Sequence, residues 1–201
     1  MKPNGRDDKD GTGRSPKARR RIAPTRARAT KIMRRGKLAR TKTEGHAVTH
    51  NVRLATSGDL IAVEAIVQSA YSHYVERIHR QPGPMLDDYR SLIMDGRVYV
   101  IEMQARVSGI LVLIPQDSEM LLDNIAVAPE AQGHGLGRKL LEFAERQALD
   151  AGFNRLCLYT NEAMTENIAL YLRIGYVETH RAEEFGLRRI YMKKQLNIEG
   201  C

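Results

Sequence analysis

The residues of this sequence best suited to chemistry lie in one stretch, Ile125 to Arg138. There an apolar run gives way to Pro129-Glu130-Ala131-Gln132 and then to Gly133-His134-Gly135-Leu136-Gly137-Arg138. A strand that runs into a glycine-rich turn and opens a helix leaves several backbone N–H groups without helical acceptors. It aims them, with the positive end of the helix dipole, at one spot. The ligand such a spot suits is a pyrophosphate. Glycines at 133, 135 and 137 remove the Cβ atoms that would hold phosphate oxygens away from the backbone, and Arg138 adds charge. Two familiar phosphate loops do not match. The dinucleotide fingerprint needs a glycine where Arg138 stands, and the P-loop needs Gly-Lys-Ser/Thr, which no position supplies. Taken alone, the turn fits either a phosphate cradle or a plain connection, so the elements around it decide the reading.

Val52, Leu54 and Thr56 alternate as a strand, and Ser57-Gly58-Asp59 offers caps to a helix in which Leu60, Val63, Ile66, Val67, Ala70 and Tyr71 recur at helical spacing. Gln81-Pro82-Gly83-Pro84 breaks the chain. A second helix is expected over Met85 to Met94, ended by Asp95-Gly96. Val98–Glu102, Val107–Ile114 and Met120–Val127 are rich in β-branched and apolar residues and read as an antiparallel meander. After Pro129 the period becomes helical, with Leu136, Leu140, Leu141, Phe143, Ala144 and Ala148 on one face and a stop at Ala151-Gly152. Arg155–Thr160 returns to strand, Thr165–Ile174 is a helix stopped by Gly175, and Tyr176–Thr179 and Leu187–Lys193 are closing strands. The order β-α-α-β-β-β-α-β-α-β-β is that of an α/β fold in which an antiparallel half adjoins a βαβ crossover.

With these elements around it, the glycine turn resembles the signature of the GCN5-related N-acetyltransferase (GNAT) superfamily. The pattern Gln/Arg-x-x-Gly-x-Gly/Ala is matched by Gln132, Gly135 and Gly137. The later Leu170-Tyr171-Leu172-Arg173-Ile174-Gly175-Tyr176 is similar to the family's Leu-Tyr-x-x-x-Gly-Phe/Tyr helix end. The resemblance covers Val52 to Leu196, and the boundaries it suggests are a catalytic domain over residues 51–196 behind an extension of residues 1–46. It implies a splayed, mixed sheet of about seven strands flanked by about four helices, with acetyl-CoA as co-substrate. Backbone groups of Ile125 and Val127 would pair with the pantetheine arm, with Ala126 between them also at the cofactor. The loop of Gln132, Gly133, His134, Gly135, Leu136, Gly137 and Arg138 would hold the pyrophosphate, with the His134 side chain facing solvent. The family often places an asparagine seven residues before the tyrosine, where this chain has Met164. Asn161 and Asn167 are then the two candidates for a cofactor contact, the alternatives being a turn residue and a polar helix position.

Moving an acetyl group from a thioester to an amine requires a neutral amine and a proton for the departing thiolate. Near pH 7.5 a lysine-like amine costs ~4 kcal/mol to deprotonate, whereas an α-amine near pKa ~8 costs well under ~1 kcal/mol. The resemblance places the base at Asp123, four residues before Val127, with Glu119 one strand repeat further back as the alternative. Both are also consistent with solvated carboxylates. Tyr171 is the expected acid, because a phenol stays protonated at neutral pH; the other reading packs it on its helix face. The acceptor, a small molecule, a peptide N-terminus or a lysine, is left open. It is expected to be bound by Tyr71–Arg90 and Thr179–Arg189, with His180, Arg181, Glu183 and Glu184 taken as a connection between the last two strands.

Charge argues against a nucleic-acid function for the ordered part. Residues 1–46 hold 16 of the 32 Lys and Arg but only 4 of the 24 Asp and Glu, leaving the remainder slightly acidic. With few large apolar residues, that extension is read as disordered, and any nucleic-acid contact would run through it. The two cysteines, Cys157 in an apolar run and Cys201 at the terminus, supply no disulfide framework. The longest apolar run, Gly109–Ile114, is far shorter than the ~20 residues of a membrane span, so a cytoplasmic protein without membrane contact is expected. The histidines are read as lacking metal-ligating spacing, so no metal is expected. A non-catalytic acyl-CoA sensor is the alternative that composition leaves standing, and a homodimer is compatible with everything above.

Overall fold

In the computed structural model, which describes residues 51–197, seven strands form one sheet. They are β1 (Val52–Leu54), β2 (Val98–Met103), β3 (Arg106–Pro115), β4 (Met120–Val127), β5 (Arg155–Asn161), β6 (Val177–Glu184) and β7 (Leu187–Gln195). Their spatial order is β1-β2-β3-β4-β5-β7-β6, with β4 and β5 parallel and every other neighbour antiparallel. Four helices accompany them: α1 (Leu60–Ile78), α2 (Tyr89–Met94), α3 (Leu136–Asp150) and α4 (Thr165–Arg173). This is the mixed seven-stranded, four-helix arrangement the resemblance implies. The extension of residues 1–46 lies outside the described residues.

The core follows the apolar periods. Leu136, Leu140, Leu141, Ala144 and Ala148 of α3 are buried, as are Val63, Ile66 and Val67 of α1. β3 reads as a nearly continuous apolar run because both its faces are covered, with Ile110, Leu111 and Val112 fully buried. Helix and sheet approach most closely at Gly109. A Cβ there would stand 2.9 Å from Ile101 Cγ2, 3.1 Å from the Ala126 carbonyl oxygen and 3.3 Å from Leu140 Cδ1. At the sheet's other end Arg53 of β1 donates to Asp59 at 2.8 and 3.0 Å and to Glu102 of β2 at 2.9 and 2.6 Å, while Asp59 also accepts from the Thr56 N–H and hydroxyl. Among the described residues no helix is long and apolar enough to cross a membrane.

Three elements differ from expectation. The segment read as one helix from Met85 is a single 3-10 turn, Gly83–Leu86, followed by α2 from Tyr89. The break falls at Asp88, whose carboxylate accepts from the Ser91 N–H at 3.1 Å and the Ser91 hydroxyl at 2.6 Å, so that it caps a new helix start. α1 continues past Tyr71 to Ile78 and closes on His79 in the left-handed region at φ 55°. β6 takes in His180, Arg181, Glu183 and Glu184, which are paired to β7 rather than forming a connection. A tight turn at Phe185-Gly186, φ 53° and 72°, makes the longer strands possible. β6 is exposed along most of both faces, so no alternation marked it in the sequence.

The relationship between β4 and β5 positions the site. They pair only at Met120↔Leu156 and Leu121↔Cys157, after which the strands part. Just beyond that point Asn124 faces Val112 and Leu122 faces Leu113, which leaves Asp123 without a partner on β3. An extra residue of this kind bends its strand and increases its twist.

Candidate active site

The turn between β4 and α3 has the geometry of an anion cradle. Gly133 and Gly135 take φ values of 80° and 77°, conformations that residues with a Cβ adopt only at a cost. Gly135 is the N-cap and has no side chain to satisfy the helix start. Among the described residues no acceptor receives the backbone N–H of any residue from Gly133 to Arg138; the first bond of this turn is Lys139 N–H to the Gly135 carbonyl, at 3.1 Å. The Gln132 side-chain amide donates to the Val127 carbonyl at 3.2 Å and ties the loop to its strand. His134 Nδ1 lies 3.0 Å from the Gln132 carbonyl oxygen, so its ring folds back onto the loop. Arg138 is exposed and pairs with Glu142 at 2.9 Å.

This turn closes one end of a cleft of about 1030 Å³ that follows the gap between β4 and α4 and is lined by Ile125, Ala126, Val127, Asn167 and Tyr171 among others. The Ala128 N–H donates to the Ser108 carbonyl at 2.9 Å, which fixes the hydrogen-bonding parity of β4 against β3. By that parity Asn124 and Ala126 direct their backbone groups to β3, and Ile125 and Val127 direct theirs to the edge that β5 has left. An extended ligand arm entering the splay meets the backbone groups of Ile125 and the Val127 N–H there, the Val127 carbonyl being taken by Gln132.

A second cavity of about 70 Å³ lies deeper in the splay. Tyr71, Ile125, Asn167 and Tyr171 line both cavities and form the junction between them. Tyr171 is almost fully buried, and that burial together with the nearby Tyr74 pushes its hydroxyl up to about 12. Asp123 lines the smaller cavity, where burial raises its carboxyl above the ordinary carboxylate range despite the Tyr159 hydroxyl, which donates to its Oδ1 at 3.2 Å, and the charge of Arg189. The Arg189 guanidinium lies 4.4 Å from the centre of the Tyr159 ring. On the opposite wall the Tyr71 hydroxyl donates to Asn124 Oδ1 at 2.7 Å, the Asn124 amide donates to the Tyr89 hydroxyl at 2.7 Å, and Tyr89 donates to the Pro84 carbonyl at 3.0 Å. Two cavities meeting at a buried, protonated phenol, the smaller one also lined by a carboxylate, have room for two ligands end to end.

Residues 94–178 match the family model described as an acetyltransferase (GNAT) domain. An IAA acetyltransferase of Azospirillum brasilense is 30% identical over 128 residues, covering 59% of this chain and 84% of that protein. The chain belongs to the GNAT acetyltransferase family. An uncharacterized N-acetyltransferase of Escherichia coli K12 is 29% identical over 134 residues, covering 62% of this chain and 80% of that protein. Among solved structures, an N-acetyltransferase from Thermoplasma acidophilum in complex with coenzyme A has the same fold, with a TM-score of 0.63 at 14% identity over 73% of this chain and 99% of that one.

Within this acetyltransferase fold the expected residues separate. Gln132, Gly133, Gly135, Leu136, Gly137 and Arg138 line the large cleft with Ile125, Ala126 and Val127. Asn167 lines both cavities. Asn161 lines only the smaller one, and its Oδ1 accepts from the Ala163 N–H at 2.9 Å in the turn that closes β5. Glu119 lines neither cavity and forms an ion pair with Lys193 at 2.9 Å. Burial alone would raise its carboxyl, but Lys193 prevails and holds it below the ordinary range. His180 stacks on Tyr191, ring centres 4.3 Å apart, and lines neither cavity. The residues sequence reasoning missed are Tyr159 and Asn124, and Arg189 was included only as the end of the expected acceptor stretch Thr179–Arg189. Nothing local marks them, because their roles depend on pairing between β4, β5 and β7. The histidine reading also needs correction, since His46 and His50 do stand four apart, outside the described residues. Among the described residues no group of three or more His, Cys, Asp or Glu could hold a metal ion.

Proposed function

We propose that this acetyltransferase binds acetyl-CoA in the large cleft and acetylates a primary amine in the smaller cavity, both substrates being bound at once. The observation that carries this reading is the junction. Tyr71, Ile125, Asn167 and Tyr171 line both cavities, so a donor in one and an acceptor in the other meet beside them. The unpartnered N–H groups of Gly133–Arg138 suit a pyrophosphate, and the edge offered by the Ile125 backbone and the Val127 N–H suits the amide-bearing pantetheine arm. Asn167 lines the cleft beside that arm's path. Acetyl-CoA, when bound, supplies an acyl group activated as a thioester.

The chain's own residues manage the protons. Asp123 accepts one from the acceptor ammonium, and its raised pKa brings it nearer to that of an amine. As the acceptor nitrogen bonds to the carbonyl carbon and the carbon–sulfur bond breaks, the Tyr171 hydroxyl donates its proton to the sulfur, and the acylated nitrogen loses its surplus proton to solvent to leave a neutral amide. Exchange with solvent then returns Asp123 and Tyr171 to their starting states. Burial raises the proton affinity of a departing thiolate just as it raises that of Tyr171, so the transfer is better matched than free cysteine at pKa ~8.5 suggests.

A panel of primary amines incubated with the full chain and acetyl-CoA, read by release of free thiol, tests the reading. Amine-dependent release is the expected result. CoA binding by calorimetry without release for any amine would replace the enzyme with an acyl-CoA sensor.

A further inference from the structure

The smaller cavity is lined by one carboxylate, Asp123, and one cation, Arg189, and these are joined through a single tyrosine. The Tyr159 hydroxyl donates to Asp123 at 3.2 Å, and the Tyr159 ring lies under the Arg189 guanidinium at 4.4 Å. Glu184 accepts from Arg189 at 2.9 Å and from the Tyr191 hydroxyl at 2.6 Å. That fixes one edge of the guanidinium and leaves other N–H groups of its planar fork for a second acceptor. An ammonium site and a guanidinium one tyrosine apart match a molecule carrying an amine and a carboxylate a few atoms from each other.

Size and closure narrow the class. A cavity of about 70 Å³ holds roughly five waters by the volume each needs, about the number of heavy atoms in the smallest amino acids. Pro82, Gly83 and Pro84 form part of its wall from the segment after α1, and Leu187 adds to it from the start of β7. Arg80 donates to the Phe185 carbonyl and clasps these two segments together. A peptide or protein chain continuing beyond the acceptor amine would need more room than this cavity offers. A lysine side chain or polyamine would bring Arg189 no anion.

We propose that the acceptor is a small free amino acid, held with its amine at Asp123 and its carboxylate on Arg189. The proposal rests on the acetyltransferase reading above and adds the substrate class. Thiol release by the full chain is compared for glycine, alanine and serine, for ethylamine and alaninamide, and for a tetrapeptide beginning with alanine. The best amino acid should exceed ethylamine, alaninamide and the tetrapeptide at least tenfold in kcat/KM. Arg189→Gln should raise that amino acid's KM tenfold or more and change the ethylamine KM far less, with Arg189→Lys recovering part of the loss. If ethylamine or the tetrapeptide matches the amino acids, or if Arg189→Gln weakens every amine equally, the proposal falls and the acetyltransferase reading stands. The same holds if none of the six is acetylated by a chain that binds CoA calorimetrically; failure to bind CoA strikes at the underlying reading instead. Should Arg189→Gln fail to fold, the wild-type comparison decides alone.

Discussion

The rings of Tyr171 and Tyr176 meet edge to face with centres 5.5 Å apart, and the Tyr176 N–H donates to the Tyr171 carbonyl at 3.0 Å. The end of α4 is thereby locked against the chain leading into β6, and Tyr171 is held at the junction of the two cavities. Its hydroxyl has no hydrogen-bond partner among the described residues, so Tyr171→Phe removes a proton donor and little packing. The kcat should fall by ~10²–10⁴-fold, the range general acid catalysis supplies. CoA affinity and melting temperature should barely move. A variant with near-normal kcat would assign Tyr171 to packing alone.

Asp123 works as a base only when ionised, and burial raises its pKa. The acid limb of kcat/KM should therefore lie above the ordinary carboxylate value of about 4, with activity lost as pH falls through it. Asp123→Asn should abolish that limb and most of the activity. It should not lower the melting temperature at pH 7, because the folded state then no longer carries a desolvated carboxylate. Stability profiles and pH–rate profiles of the two proteins check both halves. A marked loss of stability in the variant would make Asp123 a structural residue.

Gly135 sits at φ 77° with open space around its Cβ position. Gly135→Val therefore costs backbone strain of ~1–2 kcal/mol without a collision. It also disturbs the N–H groups proposed to face the pyrophosphate. Calorimetry should show CoA binding weakened tenfold or more in a protein that still unfolds cooperatively. Undiminished affinity would take the phosphate site away from this loop.

Hydrogen bonds from Arg53 are the main reason the Asp59 carboxyl lies far below the ordinary range, with the Thr56 donors adding to the effect. A carboxylate whose pKa is depressed by folding contributes stability that is complete above its unfolded value of about 3.9 and is lost as pH falls toward the folded value. The share of stability that Asp59 contributes should thus be level above about pH 5 and decline below about pH 4. Asp59→Asn should lower stability at pH 7 by about 1–3 kcal/mol, since Arg53 keeps Glu102, and flatten the acid decline. Parallel urea titrations at pH 7 and about pH 2.5, well inside the window where the contribution is lost, measure both effects, and an equal loss at the two values would discount the ion pair.

Residues 1–46 carry few large apolar side chains, too few to offset the entropy of ordering them. A chain beginning at Ala47 should accordingly keep the melting temperature and turnover of the full chain. A loss of several degrees, or of most turnover, would give residues 1–46 a part in the catalytic unit.

The local pattern of the chain was enough for most of the framework. Period-3.6 apolar residues marked α3, β-branched runs marked β2 to β4, and glycine spacing after Val127 marked the turn that opens α3, because each of these signals acts over one or two turns of backbone. Where local signals compete or vanish, the pattern failed. Asp88 capped a helix inside a stretch read as continuous, and β6, exposed on both faces, had no alternation to show. The acceptor side was legible only as two stretches of chain, Tyr71–Arg90 and Thr179–Arg189, and not as an arrangement of side chains. Asp123 meets Tyr159 across 36 residues of sequence, and Arg189 reaches the same ring only because β7 lies between β5 and β6. Strand order and the parting of β4 from β5 are settled by packing of the whole sheet, so the cavity with its paired charges exists only once the tertiary structure has formed.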